Sequence, residues 1–82
     1  MDGAKLKELL NDQIFLKKLM SHRGQTKSMQ KMFRARGEDL TMVEAEMIDK
    51  TISRDLPEGV DFNAYAAAAV KAVPDILKQF NL

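Results

Sequence analysis

The amino-acid sequence predicts an all-α fold, a single small bundle of four or five short helices. Apolar residues recur at helical spacing from Ala4 to the C-terminus. No segment alternates apolar and polar residues as a half-buried strand would, and no Asn-Gly hairpin dipeptide occurs. At 82 residues, the length fits one domain. A domain of that size buries only a little over ~60% of its unfolded surface, so its margin of stability is thin.

The first helix is predicted over residues 4–11, where Leu6, Leu9 and Leu10 repeat at helical spacing. Continued as one helix, Phe15, Leu16 and Leu19 would wrap apolar residues round every side. Asn11-Asp12 resolves this, because Asp12 is a good N-cap. A second helix is therefore predicted over 13–21, with Phe15, Leu16, Leu19 and Met20 inward. Gly24 marks the next break. A third helix over 25–36 carries an apolar stripe of Met29, Met32 and Phe33, with Lys27, Lys31 and Arg34 on the opposite face. Gly37 then suits a left-handed C-cap, and Arg34 and Arg36 fall in the last turn, where cations favour the helix dipole.

The fourth helix, over 41–54, opens on a capping box. The Thr41 hydroxyl and the Glu44 carboxylate would each satisfy an orphan amide. The helical wheel sets Glu44 among Leu40, Val43, Met47 and Ile48, where a buried catalytic carboxylate would lie; the cap accounts for it more simply. Val43, Met47, Ile48 and Ile52 form the expected inward side, and Glu46 and Asp49 the solvated one. Leu56-Pro57-Glu58-Gly59 reads as a turn. Asp61 caps a fifth helix over 62–81, with Phe62, Tyr65, Ala69, Val73, Ile76 and Phe80 on one face. Pro74 lies within that run and lacks an amide donor, so a kink or a restart is expected there. The alanines from Ala66 to Ala69 predict a close helix–helix approach.

Thirteen Lys and Arg against twelve Asp and Glu give a net charge of +1, which hides a segregation. Residues 13–37 hold Lys17, Lys18, Arg23, Lys27, Lys31, Arg34 and Arg36 and no acid. Residues 38–62 hold Glu38, Asp39, Glu44, Glu46, Asp49, Asp55, Glu58 and Asp61 against Lys50 and Arg54. Either neighbouring helices set these charges side by side, at ~0–1 kcal/mol per exposed pair, or the basic face waits for an acidic or phosphorylated partner.

The chain has no cysteine, which removes disulfides, thiolate zinc sites and cysteine nucleophiles. An apolar content of 45% is too high for a disordered charged tail. The longest uncharged run, Phe62 to Val70, falls well short of the ~18 residues that cross a bilayer. Met1-Asp2-Gly3 opens no signal peptide, so a cytoplasmic location is expected. His22 has no acid within its helix, so no metal ligand set is expected. Ser21, Ser28 and Ser53 lack a nucleophile context, and no glycine-rich phosphate loop occurs; no catalytic, cofactor-binding or metal site is assigned, and no cofactor is expected. Gln25 to Ile48 has a loose helix–turn–helix rhythm. Its second helix, however, would offer Glu44, Glu46 and Asp49 to a polyanion, which argues against nucleic acid.

Five internal methionines (Met20, Met29, Met32, Met42 and Met47) either fill the core or form an adaptable groove for a partner's apolar segment. The last helix carries Val70, Leu77 and Phe80 beyond its main apolar face, which leaves open a homodimer through that helix.

Across residues 4 to about 52 the chain resembles the helical leader domain of bacterial ribosomally synthesised, post-translationally modified peptide precursors. The matching elements are Leu6-Lys7-Glu8-Leu9-Leu10, Asp12, Phe15-Leu16-Lys17-Lys18-Leu19, Met32-Phe33-Arg34-Ala35-Arg36-Gly37, Leu40-Thr41 and Glu44. The resemblance implies a domain that binds maturation enzymes, which modify a C-terminal core before a protease releases it. The chain departs from that pattern: it has no Gly-Gly site, no cysteine, and no serine or threonine after Ser53. The expected function is therefore non-enzymatic docking of a larger protein, such as a peptide-maturation enzyme, through Lys27, Lys31, Arg34, Met29, Met32 and Phe33. A small regulatory, inhibitor or immunity-type protein acting by occlusion is the alternative, and weak nucleic-acid binding the third reading.

Overall fold

The computed structural model describes residues 3–82; the opening Met1-Asp2 lies outside the described residues. Five helices follow one another: α1 (Gly3–Leu9), α2 (Gln13–Ser21), α3 (Thr26–Ala35), α4 (Met42–Ser53) and α5 (Phe62–Gln79). No strand occurs among the described residues. The fold is an all-α bundle in which α5 packs on α2 and α4, and α4 on α3. None of these helices is long and apolar enough to cross a membrane.

Local chemistry sets the helix ends. Asp12 accepts from the amides of Ile14 and Phe15 and starts α2. The Thr41 hydroxyl accepts from the Glu44 amide at 3.1 Å while Glu44 accepts from the Thr41 amide at 2.8 Å, so both halves of the capping box form. Asp61 accepts from Ala64 at the start of α5. Past α3, the Gly37 amide donates to Arg34 and the Glu38 amide to Phe33, and Gly37 takes φ +90°. These are the paired bonds of a Schellman closure, which needs the left-handed backbone that glycine adopts without strain. Asn81, at φ 59°, closes α5 in the same way, with Leu82 donating to Leu77. That closure is why α5 stops at Gln79, short of position 81.

The core is formed by the leucines of α1 and α2, Met29 and Phe33 of α3, Ile48 and Ile52 of α4, and Tyr65, Ala69, Val73 and Ile76 of α5. Leu6, Leu9 and Leu10 have no exposed surface. Burying each such side chain contributes ~1.5–3 kcal/mol, so the seven-residue α1 is held by packing, since an isolated helix of that length is not stable.

Two expectations about α4 need correction. Val43 does not face the core: it is 75% exposed, and α4 instead turns Ala45, Ile48, Asp49 and Ile52 inward. Ala45 is small enough for close approach. Asp49 is held in because its carboxylate accepts from the Gly24 amide at 3.1 Å. Asp49 is therefore buried at 7% exposure and does not share the solvated face with Glu46. Of the kink or restart expected at Pro74, the restart does not occur: α5 runs through the proline as one helix. Pro74 lies on the solvent side, as does Val70 one turn earlier, so the Val70 carbonyl that Pro74 cannot serve lies where water can reach it.

Candidate docking surface

The outward faces of α2 and α3 carry the candidate surface. Lys27, Lys31 and Arg34 are exposed along α3, and Met32 is half-buried beside them. Met29 and Phe33 are fully enclosed and offer no surface to a partner. Arg34 bonds Asp39 at 3.0 Å, whereas no ion pair among the described residues involves Lys17, Lys18, Lys27 or Lys31. The remaining pairs are Arg36–Asp12, Lys50–Glu46 and Arg54–Asp75, so none joins the α3 lysines to acids of α4. Among the described residues, the lysines of the basic face are thus left without an ion pair, and Arg34 alone of the α3 stripe has one.

Beside this stripe is an apolar feature. Ile14 is 75% exposed and shares a shallow groove of about 130 Å³ with Phe15, Lys18, Met32, Ala35 and Arg36. The sequence held the signal: once Asp12 caps α2, Ile14 falls on the outward side with Lys17 and Lys18, three and four residues on. Its neighbour Phe15 faces the other way and meets Phe33 edge-on at 5.0 Å.

A second, polar cluster joins the α2–α3 turn to the α4–α5 loop. The Arg23 guanidinium donates to Ser53 Oγ at 2.9 Å, to the Pro57 carbonyl at 2.9 Å and to the Leu56 carbonyl at 2.5 Å. Gly24, at φ +80°, turns its amide onto Asp49. These residues line an open cleft of about 490 Å³ together with Met20, Glu58, Gly59 and Val60. Burial pushes the Asp49 carboxyl above its usual range, opposed by the Gly24 amide and the Arg23 charge. The Tyr65 phenol is raised strongly, first by burial and then by the Asp49 charge. Asp49 Oδ1 and the Tyr65 hydroxyl are both enclosed without a hydrogen-bond partner. The Arg23 and Gly24 bonds make the cluster a polar clamp between the two segments. The partners of Arg23 lie 30 to 34 residues away, which no local pattern reveals.

His22 pairs through Nδ1 with Gln25 Oε1 at 3.1 Å. Among the described residues, no group of three or more histidines or carboxylates is arranged to hold a metal ion. Of the acids expected to face outward from α4, Glu44 serves the cap, Asp49 is buried and Glu46 pairs with Lys50 at 2.7 Å. Electrostatic repulsion of a polyanion by that helix is accordingly weaker than its sequence implies.

No family model, no curated protein and no solved structure matches this chain.

Proposed function

We propose that this chain is a non-enzymatic interaction domain that docks a larger protein through the exposed face of α2 and α3. One observation carries the reading: Lys17, Lys18, Lys27 and Lys31, which enter no ion pair among the described residues, share the outward faces of α2 and α3 with the exposed Ile14. Leaving Ile14 in water gives up the stabilisation that burial would bring, and grouped like charges repel; both are relieved when a complementary surface covers them. The leader-like pattern of residues 4 to about 52 supports a peptide-maturation enzyme as the class of partner, with the chain as recognition domain or precursor.

The test is affinity capture of the full chain in its native host, with mass spectrometry of captured proteins and of the chain itself. A partner retained by the wild type and lost by Lys27→Glu with Lys31→Glu, at unchanged helicity, supports docking. Equal retention by that double variant removes the basic stripe from the reading. A C-terminal mass change or cleavage supports the precursor form, and an intact chain opposes it. Retention of duplex DNA at ~150 mM salt would instead favour nucleic-acid binding, because contacts to a few phosphates weaken steeply by that ionic strength.

A further inference from the structure

We infer that the seam between α2 and α3 is an anchor site for an acidic protein segment bearing one aliphatic side chain, an inference that rests on the docking reading above. The seam is a rigid corner. Asp12 holds the first amides of α2 and also bonds Arg36 at 3.2 Å. Arg36 in turn lies 5.6 Å over the Phe15 ring, and Phe15 packs edge-on against Phe33. These contacts fix the start of α2 against the end of α3, so the groove between them exists before any partner arrives and binding orders little of the chain.

The lining of the groove selects the occupant. Ile14, Met32 and Ala35 provide apolar surface, and the volume of about 130 Å³ suits a single aliphatic side chain. Lys18 and Arg36 line the same groove, Lys17 follows Ile14 by three residues, and Lys31 directly precedes Met32. The Asp12 carboxylate at this corner is already engaged by two amides and a guanidinium. An apolar floor within a cationic rim matches an aliphatic residue flanked by Asp or Glu. Phosphate groups would satisfy the lysines but leave Ile14 and Met32 uncovered. A second copy could offer Met42 and Val43 beside Glu44 and Glu46, but there Glu44 is held by the cap and Glu46 by Lys50. Outside the seam, its other exposed aliphatic residues lack flanking acids, since Val70 is followed by Lys71 and no Asp or Glu comes nearer to Leu82 in sequence than Asp75. The structure therefore favours an external protein segment.

The experiment is an NMR titration of the ¹⁵N,¹³C-labelled full chain with a blocked peptide carrying one leucine among glutamates. A matched peptide with glutamines serves as control. The expected result is shifts at Ile14, Lys18, Met32 and Ala35. Ile14→Ser should weaken binding about tenfold, and Lys18→Glu with Lys31→Glu at least about tenfold. Lys27→Glu, which lies off the seam, should change it less than about twofold. Ile14 is exposed, so circular dichroism of Ile14→Ser should match the wild type and exclude misfolding as the cause. Shifts confined to Lys27, Lys31 and Arg34, with Ile14→Ser unaffected, would overturn the seam and leave the docking reading standing. Equal binding of the glutamine peptide, tighter binding to phosphatidylserine vesicles, or a dimer in sedimentation that Ile14→Ser dissociates would each overturn the assigned occupant. Failure of affinity capture, with this titration still positive, would sink the docking reading and leave the seam.

Discussion

Asp49 is 7% exposed, with one carboxylate oxygen on the Gly24 amide and the other enclosed without a partner. Burial raises its pKa above the 3.8 of an unperturbed carboxyl, so the folded chain holds this proton more tightly than the unfolded chain does. The contribution of Asp49 to stability is therefore best at low pH. It declines as pH rises from about 3.8 through the raised folded value, and the full penalty of the buried charge persists above that. Asp49→Asn keeps an oxygen for the Gly24 amide and removes the charge. Urea denaturation across a pH series should show the variant gaining on the wild type as pH rises through this window, with no advantage below it. A difference independent of pH would mean that burial of the charge is not what governs this site. Asp12 runs in the opposite sense. The Phe15 amide and the Arg36 guanidinium hold its pKa down, so its contribution is complete above 3.8 and is lost as pH falls below that. The two carboxylates differ in how far the sequence reveals them. Asp12 is legible as a cap because its partners are two and three residues away, whereas the partner of Asp49 is 25 residues away and its inward position depends on that bond.

At the scale of the helices, the ends are more legible than the faces. Asp12, Thr41 with Glu44, Asp61 and Gly37 all act on amides or carbonyls within a few residues, and each is recognisable by type and spacing. Which side of α4 turns inward is not a local matter, since it is set by the Gly24 contact and by the close approach that Ala45 permits. Val43 and Asp49 consequently exchange their expected places. Two substitutions test this picture. Gly37 has φ +90° and nothing within 4 Å of a Cβ placed there, so Gly37→Ala would cost only the backbone strain, ~1–2 kcal/mol. In a domain this small that lowers Tm by roughly 4–8 °C per kcal/mol, measurable by thermal circular dichroism. Pro74 stands inside α5 on its solvent side. Pro74→Ala restores an amide that can reach the Val70 carbonyl and should raise Tm, with ~3 kcal/mol as the upper bound set by the helix-interior penalty of proline. A lower Tm would show that the proline ring makes a packing contribution larger than the hydrogen bond it forfeits.

For the whole molecule, the question is what ties the α2–α3 hairpin to the α4–α5 loop. The apolar core links the helices and takes in Leu56 and Val60 of the long 54–61 connection, whose backbone carbonyls still need partners of their own. Arg23 supplies one: a single guanidinium holds Ser53, Leu56 and Pro57, and Gly24 beside it holds Asp49. In Arg23→Met the apolar stem is largely kept while all three bonds are lost and two loop carbonyls must find water. A loss of about 2–3 kcal/mol is expected. Hydrogen exchange should show faster opening of residues 54–61, with the α1 and α2 core retaining its order of protection. The same substitution removes a cation that partly offsets the buried Asp49 charge, so the two sites are coupled. Arg23→Met combined with Asp49→Asn should be less destabilising than the sum of the single changes, because the charge that Arg23 helped to offset is then absent. Strict additivity in that double-mutant cycle would mean that Arg23 acts only as a mechanical tie to the loop. By contrast, Lys27→Glu with Lys31→Glu alters exposed side chains that have no ion-pair partner among the described residues, and Tm should move by less than ~3 °C. The separation is physical: Arg23 and Asp49 tie distant segments together, while Lys17, Lys18, Lys27 and Lys31 enter no ion pair among the described residues and can be changed with little effect on the fold.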